Sequence, residues 1–300
     1  MLTTDSPVKQ QATKTDMSLD TVETGTAPAR EVIRAEKDLI RLVSWNVARG
    51  SRLAEIVDFL RSTNADLICL QETDRNARRT GCRNIAAEIA RALRMNYVFG
   101  IEFEELSQGS RESPAYQGQA TLSSFPLTDC RILRFRNQSR FWHPRWWIPQ
   151  HPKLQRRLGG RMALFTHVLI GDRAFAVYNL HLESRSEQMR RAQLTEVLED
   201  ARRDDNDTTR LILAGDFNFD LSGSDISSVV DELRFQNPFK VQRARTTPSS
   251  HFGRTAAIDW ILIKGALNST TARVHSAVSA SDHFPLSLTL RVCDQTEVPK

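Results

Sequence analysis

The sequence predicts a mixed α/β or α+β domain built on β-sheets, and three observations predict it. Short apolar runs of strand length recur through most of the chain. Segments with a helical apolar period are interspersed among them. Strict alternation of strand and helix is missing, which disfavours a doubly wound parallel sheet.

Residues 1–38 are polar, rich in Thr, Ser and Gln, and hold seven Asp/Glu against five Lys/Arg. No apolar period holds across them, so they read as a disordered tail with a short helix near 30–38. The folded domain is expected over 39–294. "LIRLVSWN" is a strand candidate that ends on a polar residue. Leu53, Ile56, Val57 and Leu60 stand at i, i+3, i+4 and i+7, so 52–63 reads as an amphipathic helix. "ADLICLQE" is a second strand with a polar end, and Ile85, Ile89, Ala92 and Leu93 suggest a second helix. Strands are then expected near 97–103, 119–124, 128–136, 161–170 and 174–181. A helix over 185–203 would carry Met189, Leu194, Val197 and Leu198 inward. "LILAGDFN" follows as a strand, and Ile226, Val229, Val230 and Leu233 make one more helix. Three strands near 258–264, 272–278 and 286–292 finish the domain. No internal repeat is present.

Hydrophobic residues make up 40% of the chain and charged residues 26%, the balance of a soluble globular protein. No apolar run approaches the ~18–20 residues of a membrane span, and the N-terminus lacks the basic-then-apolar pattern of a secretory signal. A soluble, cytoplasmic protein without stable membrane insertion is expected. Of the four cysteines none forms a C-x-x-C pair, so neither a cysteine zinc site nor a disulfide framework is expected. Cys69, inside "DLICL", reads as a small buried thiol.

The net charge of +5 is unevenly spread. Residues 130–161 hold nine Lys/Arg and no acid. Such a run is either a solvated loop or a surface that meets phosphate. The run also contains Phe141, Trp142, Trp146 and Trp147. In a nucleic-acid reader, cations such as Arg145, Arg156 and Arg157 would hold the backbone while the aromatics stack on bases, at ~1–3 kcal/mol each. Trp and Arg together also suit a membrane interface, and the tryptophans could instead fill a satellite core.

Several strand candidates end in polar groups. "VSWN" ends on Asn46, "ICLQE" on Glu72 and "LILAGDFN" on Asp216 and Asn218. "VYNLHLES" carries His181 near its end, "AIDWILI" begins near Asp259, and "SDHFPLSLTL" puts Asp282 and His283 before a strand. Each alone has a structural explanation: Asp216 and Asn218 could stabilise the turn after Gly215, and Asp282 could cap a turn. Converging on one rim, they would make a cleft of carboxylates, carboxamides and imidazoles. Hard oxygen ligands without thiolates suit Mg²⁺ or Mn²⁺, as used on phosphoryl groups. Side chains two apart on a strand share a side, so Asp216 and Asn218 could face one phosphate.

In order, "SWN", "LQE", "NLHLES", "GDFN", "IDWI" and "SDHFPL" resemble the signatures of the endonuclease/exonuclease/phosphatase superfamily, over residues 39–292. The resemblance implies the deoxyribonuclease I-like fold: two packed, mostly antiparallel β-sheets flanked by helices, a four-layer sandwich. It implies Glu72 as the principal metal ligand, Asn46 beside it, and Asp282 in the inner or outer metal shell. Asp216 would orient or deprotonate the attacking water, and Asn218 would hydrogen-bond the phosphate. Asp259 would orient His283 against the phosphoryl oxygen, and His181 would donate to a phosphate oxygen. Ala48 stands where abasic-site nucleases of the superfamily often carry Asp. Ala214 and "AIDWI" depart from the inositol-phosphate 5-phosphatases. The expected activity is metal-dependent phosphodiester hydrolysis, with nucleic acid the favoured substrate and endonuclease or exonuclease action both open. A sphingomyelinase-like or other small phosphodiesterase or phosphatase is the alternative, and a catalytically silent nucleic-acid- or membrane-binding module is the second.

Overall fold

A computed structural model describes residues 18–27, 38–139, 157–203, 210–221, 232–239, 245–248 and 257–293. Among these, two sheets carry the architecture. The first begins with β1 (Val22–Gly25), β2 (Leu39–Arg49), β3 (Leu67–Arg75), β4 (Asn96–Glu105) and β5 (Tyr116–Ser123). It is completed by β7 (Arg157–Gly159), β12 (Leu267–Val274) and β13 (Leu286–Val292). Its order is β1-β4-β5-β3-β2-β13-β12, with β7 also on β4. The second sheet contains β6 (Leu127–Arg134), β8 (Met162–Ile170), β9 (Arg173–His181), β10 (Arg210–Asp216) and β11 (Asp259–Lys264). Its order is β11-β10-β9-β8-β6.

Each sheet is antiparallel except for one pair, β2 with β3 and β9 with β10. Parallel neighbours need a crossover. Helix α1 (Leu53–Thr63) supplies it in the first sheet and α3 (Glu187–Arg203) in the second. A further helix, α2 (Ile85–Leu93), starts on Asn84, whose side chain accepts the Ala87 N–H. Helix α1 ends on Asn64 in left-handed backbone, the usual way to close a helix without glycine.

Side-chain alternation along β2 sorts the layers. Ile40 and Leu42 join the core shared with the second sheet, while Val43, Trp45 and Val47 pack under α1 and α2. On the far side, Leu194, Val197, Leu198 and Ala201 of α3 close over the second sheet. Helices, sheet, sheet and helix thus form the expected four-layer sandwich. Cys69 is buried between the sheets, where burial pushes its thiol up to about 12 against the pull of Thr121.

Three expectations need correction. Val22–Gly25, inside the segment read as a disordered tail, forms an edge strand antiparallel to β4. Its anchor is polar: Glu23 meets Arg75 at 2.6 Å, the Tyr97 hydroxyl at 2.6 Å and Asn84 at 2.7 Å. Four residues, of which only Val22 packs on an apolar cluster, are too few to show an apolar period. The strand expected at 272–278 runs instead over Leu267–Val274, because its exposed Asn268-Ser269-Thr270-Thr271 stretch has no alternating apolar side. Met189 is only half-buried, whereas the other three α3 residues named are buried. The short helix near 30–38 and most of the helix on Ile226, Val229, Val230 and Leu233 lie outside the described residues.

Candidate active site

Strand register builds the floor of the site. Asp216 pairs with His181 on one side and with Asp259 on the other, so three polar side chains stand abreast where β9 and β10 end and β11 begins. Gly215 is required beneath them. Its φ is 149°, and a Cβ there would lie 1.9 Å from the Leu180 carbonyl oxygen. Beyond it, the Asn218 N–H donates to Asp216 Oδ1 at 2.9 Å, in a turn where Asn218 has φ 56°. The Asn218 carboxamide donates to the Leu182 carbonyl at 2.9 Å. The turn explanation of these two residues therefore holds, and it leaves Asp216 Oδ2 facing inward.

The first sheet supplies the facing wall. Strict alternation would send Glu72 to the helical side with Ile68 and Leu70. The β3 register shifts between Leu70 and Thr73, and Glu72 takes left-handed backbone with φ 55°. Such bulges re-aim side chains beside active sites, and a non-glycine residue held there costs about 1–3 kcal/mol. Glu72 is thereby turned toward Asn46, whose Nδ2 lies 3.4 Å from Glu72 Oε1 and 3.2 Å from Asp216 Oδ2. Behind the bulge, Gln71 Nε2 donates to Asn179 Oδ1 at 2.7 Å, which ties the two sheets together.

Two histidine–carboxylate pairs flank Asp216. His283 Nδ1 lies 3.0 and 2.9 Å from the oxygens of Asp259, and its Nε2 is 3.7 Å from Asp216 Oδ2. His181 Nε2 is 3.5 Å from the same oxygen, and its Nδ1 is 3.5 Å from Glu102 Oε2. Glu102 is wholly buried and is held in turn by Arg161 at 2.5 Å. The His283 loop is pinned to the first sheet: the Trp45 indole donates to the His283 carbonyl at 2.9 Å, and the Ser281 hydroxyl to the Asn46 carbonyl at 2.7 Å.

Electrostatics follow from this placement. Burial opposes charging His283, but the carboxylates of Asp259 and Asp216 overcome it and push the imidazole up to about 10. Burial would raise the Glu72 carboxyl, yet the positive groups His181, Arg157, Arg161 and Arg49 hold it down to about 2. Burial likewise raises Glu102, and Arg161 and His181 reverse it to a net lowering.

The structure brings Asn46, Glu72, His181, Asp216, Asp259 and His283 together. Asn218 flanks them, and Asp282 stands on the exposed rim beside His283. Trp142, Arg145, Trp146, Trp147 and Arg156 lie outside the described residues. Arg157 is described: its Nε contacts Glu105 at 2.7 Å and its guanidinium stacks over Phe103. Sequence reasoning missed Glu102 and Arg161. The one signal for Glu102 is an acid interrupting the apolar run "YVFGIEF".

The residues present fit a divalent cation. Asp216, Asp259 and His283 offer ligand atoms within 4.8 Å of one another. There His283 Nδ1 is already engaged by Asp259, which leaves Nε2 as its ligand atom. On the Glu72 side, the ionised Glu72 carboxylate and Asp216 Oδ2 supply hard oxygens, and an ion between them would take the place of the Asn46 Nδ2 that now lies against both.

The model of the Endonuclease/Exonuclease/phosphatase family matches residues 43–283. No curated protein matches the sequence. Among solved structures, the fold is similar to an endonuclease/exonuclease/phosphatase from Beutenbergia cavernae, with TM-score 0.62 and 16% identity over 86% of this chain and 73% of that one. It is similar to the human Nocturnin catalytic domain with bound sulfate, with TM-score 0.60 and 16% identity over 91% and 97%. It is also similar to TDP2 from C. elegans, with TM-score 0.57 and 17% identity over 85% and 75%. At these identities the likeness is one of fold.

Proposed function

We propose, from the premise that this chain belongs to the endonuclease/exonuclease/phosphatase family of phosphoester hydrolases, that it hydrolyses the phosphodiesters of nucleic acid with Mg²⁺ or Mn²⁺. Glu72 and Asn46 would hold the cation, with Asp282 assisting from the rim. Bound there, it would neutralise phosphate charge and polarise a phosphoryl oxygen.

The remaining chemistry falls to the side chains. Asp216 Oδ2 orients the attacking water and draws off its proton, a contribution of ~10²–10⁴-fold for a placed base. His283, kept protonated by Asp259, donates through Nε2 to a phosphoryl oxygen as charge builds in the transition state. His181, backed by Glu102, donates from the other side. Asn218 has two amide N–H groups; one serves Leu182 and the second is left for a phosphate oxygen. Nucleic acid is favoured because the chain after residue 38 is strongly basic, which suits a polyanion.

One observation carries this reading: Asn46, His181 and His283, from both sheets, all converge on Asp216 Oδ2 at 3.2, 3.5 and 3.7 Å. The test is a panel of plasmid, single-stranded RNA, sphingomyelin and bis(p-nitrophenyl) phosphate with Mg²⁺, with and without EDTA. Nucleic-acid cleavage that EDTA abolishes is expected, with a loss of ~10²-fold or more in Asp216→Asn. Near-normal rates in that variant would remove Asp216 from its role, and turnover of sphingomyelin alone would change the substrate.

A further inference from the structure

Three residues in left-handed backbone follow the Asn46 wall: Ala48, Arg49 and Gly50, with φ of 46°, 74° and 77°. The turn is locked by its own bonds. The Ala48 N–H donates to Asn46 Oδ1 at 3.1 Å, the Gly50 N–H to the Val47 carbonyl at 2.9 Å, and the Ser51 hydroxyl to the Ala48 carbonyl at 3.1 Å. Glycine would occupy position 49 without the steric cost of a Cβ, which is on the order of 1–3 kcal/mol. An arginine stands there instead. Its side chain is exposed and makes no hydrogen bond or ion pair with any described residue. Its backbone pairs with Thr73, the residue after Glu72, and its charge acts on that carboxylate. The two other arginines acting on Glu72 are engaged, Arg161 with Glu102 at 2.5 Å and Arg157 with Glu105 at 2.7 Å. Ala48 beside it is neutral, so no carboxylate on the turn competes for the guanidinium.

We propose that Arg49 binds a second phosphate of the substrate, adjoining the one that is cleaved, so that the site selects nucleic-acid strands over isolated phosphodiesters. This rests on the phosphodiesterase reading of the same site and names how it chooses its substrate. A guanidinium suits this role, being always charged, weakly hydrated and matched to phosphate in a two-pronged contact. The left-handed turn holds position 49 opposite Thr73, the residue after Glu72, so the guanidinium starts from the edge of the site.

The test uses thymidine dinucleotides carrying a terminal phosphate at the 5′ end, the 3′ end or neither, with bis(p-nitrophenyl) phosphate as the single-phosphate substrate. Wild type is expected to prefer one phosphorylated dinucleotide at least tenfold in kcat/KM. Arg49→Ala is expected to erase that preference, chiefly through KM, with a markedly smaller loss on bis(p-nitrophenyl) phosphate. Arg49→Lys should keep part of it. Arg49→Gly, which relieves the backbone, should fold at least as stably and lose the preference equally. In EDTA, where turnover is absent, Arg49→Ala should bind labelled oligothymidylate more weakly, with the salt slope reduced by about 0.7. A preference that survives Arg49→Ala would overturn the proposal while leaving the hydrolase reading intact. So would an equal loss on every substrate, because Arg49 would then act only through Glu72. If wild type turned over none of the substrates, the hydrolase reading would fall and the binding measurement would decide the role of Arg49.

Discussion

His283 shows what one buried charge does for both stability and chemistry. Its imidazole is pushed up to about 10, against an ordinary value of ~6.5. A group raised in this direction contributes stability that is present in full below its unfolded value and is lost as pH climbs through the folded one. In metal-free buffer, the Tm advantage of wild type over Asp259→Asn should therefore be largest below about pH 6.5, fade again in acid where Asp259, raised by burial, takes up its proton, and shrink toward pH 10. A constant difference across that range would mean that Asp259 supports His283 by packing rather than by charge. At this scale most residues of the candidate site were legible, because Asn46, Glu72, His181, Asp216, Asp259 and His283 each interrupt or end an apolar run. Glu102 was not: it is followed closely by Glu104 and Glu105, and only the tertiary fold turns it toward His181. Arg157 drew notice as a cation of the basic run, yet Glu105 holds it inside the domain.

At the scale of elements, the sequence reveals strands with an apolar side and hides those held by polar anchors. β2, β3 and β10 announce themselves because one or both sides are apolar. β1 does not, since Glu23 fixes it through Arg75, Asn84 and Tyr97. Glu23→Ala would leave three half-buried partners unsatisfied. The expected cost is about 1–2 kcal/mol, read as a lower Tm together with faster amide exchange along β4 near Tyr97–Gly100, the residues β1 covers. Unchanged exchange there would show that β1 does not depend on its carboxylate. The β12 misplacement has the same origin, because its outward stretch of Asn, Ser and Thr reads as a loop until β13 pairs with it.

Across the whole molecule, the site is a seam between two sheets. The first contributes Asn46, Glu72 and Glu102, the second His181, Asp216 and Asp259, and His283 precedes β13 in the first. A cation bound at this seam stabilises only the docked sandwich, so stability should rise with its concentration. At a hundredfold excess over Kd the gain is about 2.7 kcal/mol, or roughly 5–10 °C in Tm for a domain of this size. Mg²⁺ or Mn²⁺ should produce such a rise in wild type and little in Glu72→Gln. An equal rise in both would place the cation elsewhere. Sequence alone predicts the number of sheet-forming segments reasonably well, but it does not show that β2 waits for β13.

That pairing has a consequence for synthesis. β2 lies between β3 and β13, so a strand made early acquires one neighbour at once and the other only when residues 286–292 exist. His283 reaches its place by the same late event. The candidate site therefore stays incomplete until nearly all of the described domain has emerged from the ribosome, because His283 arrives with β13.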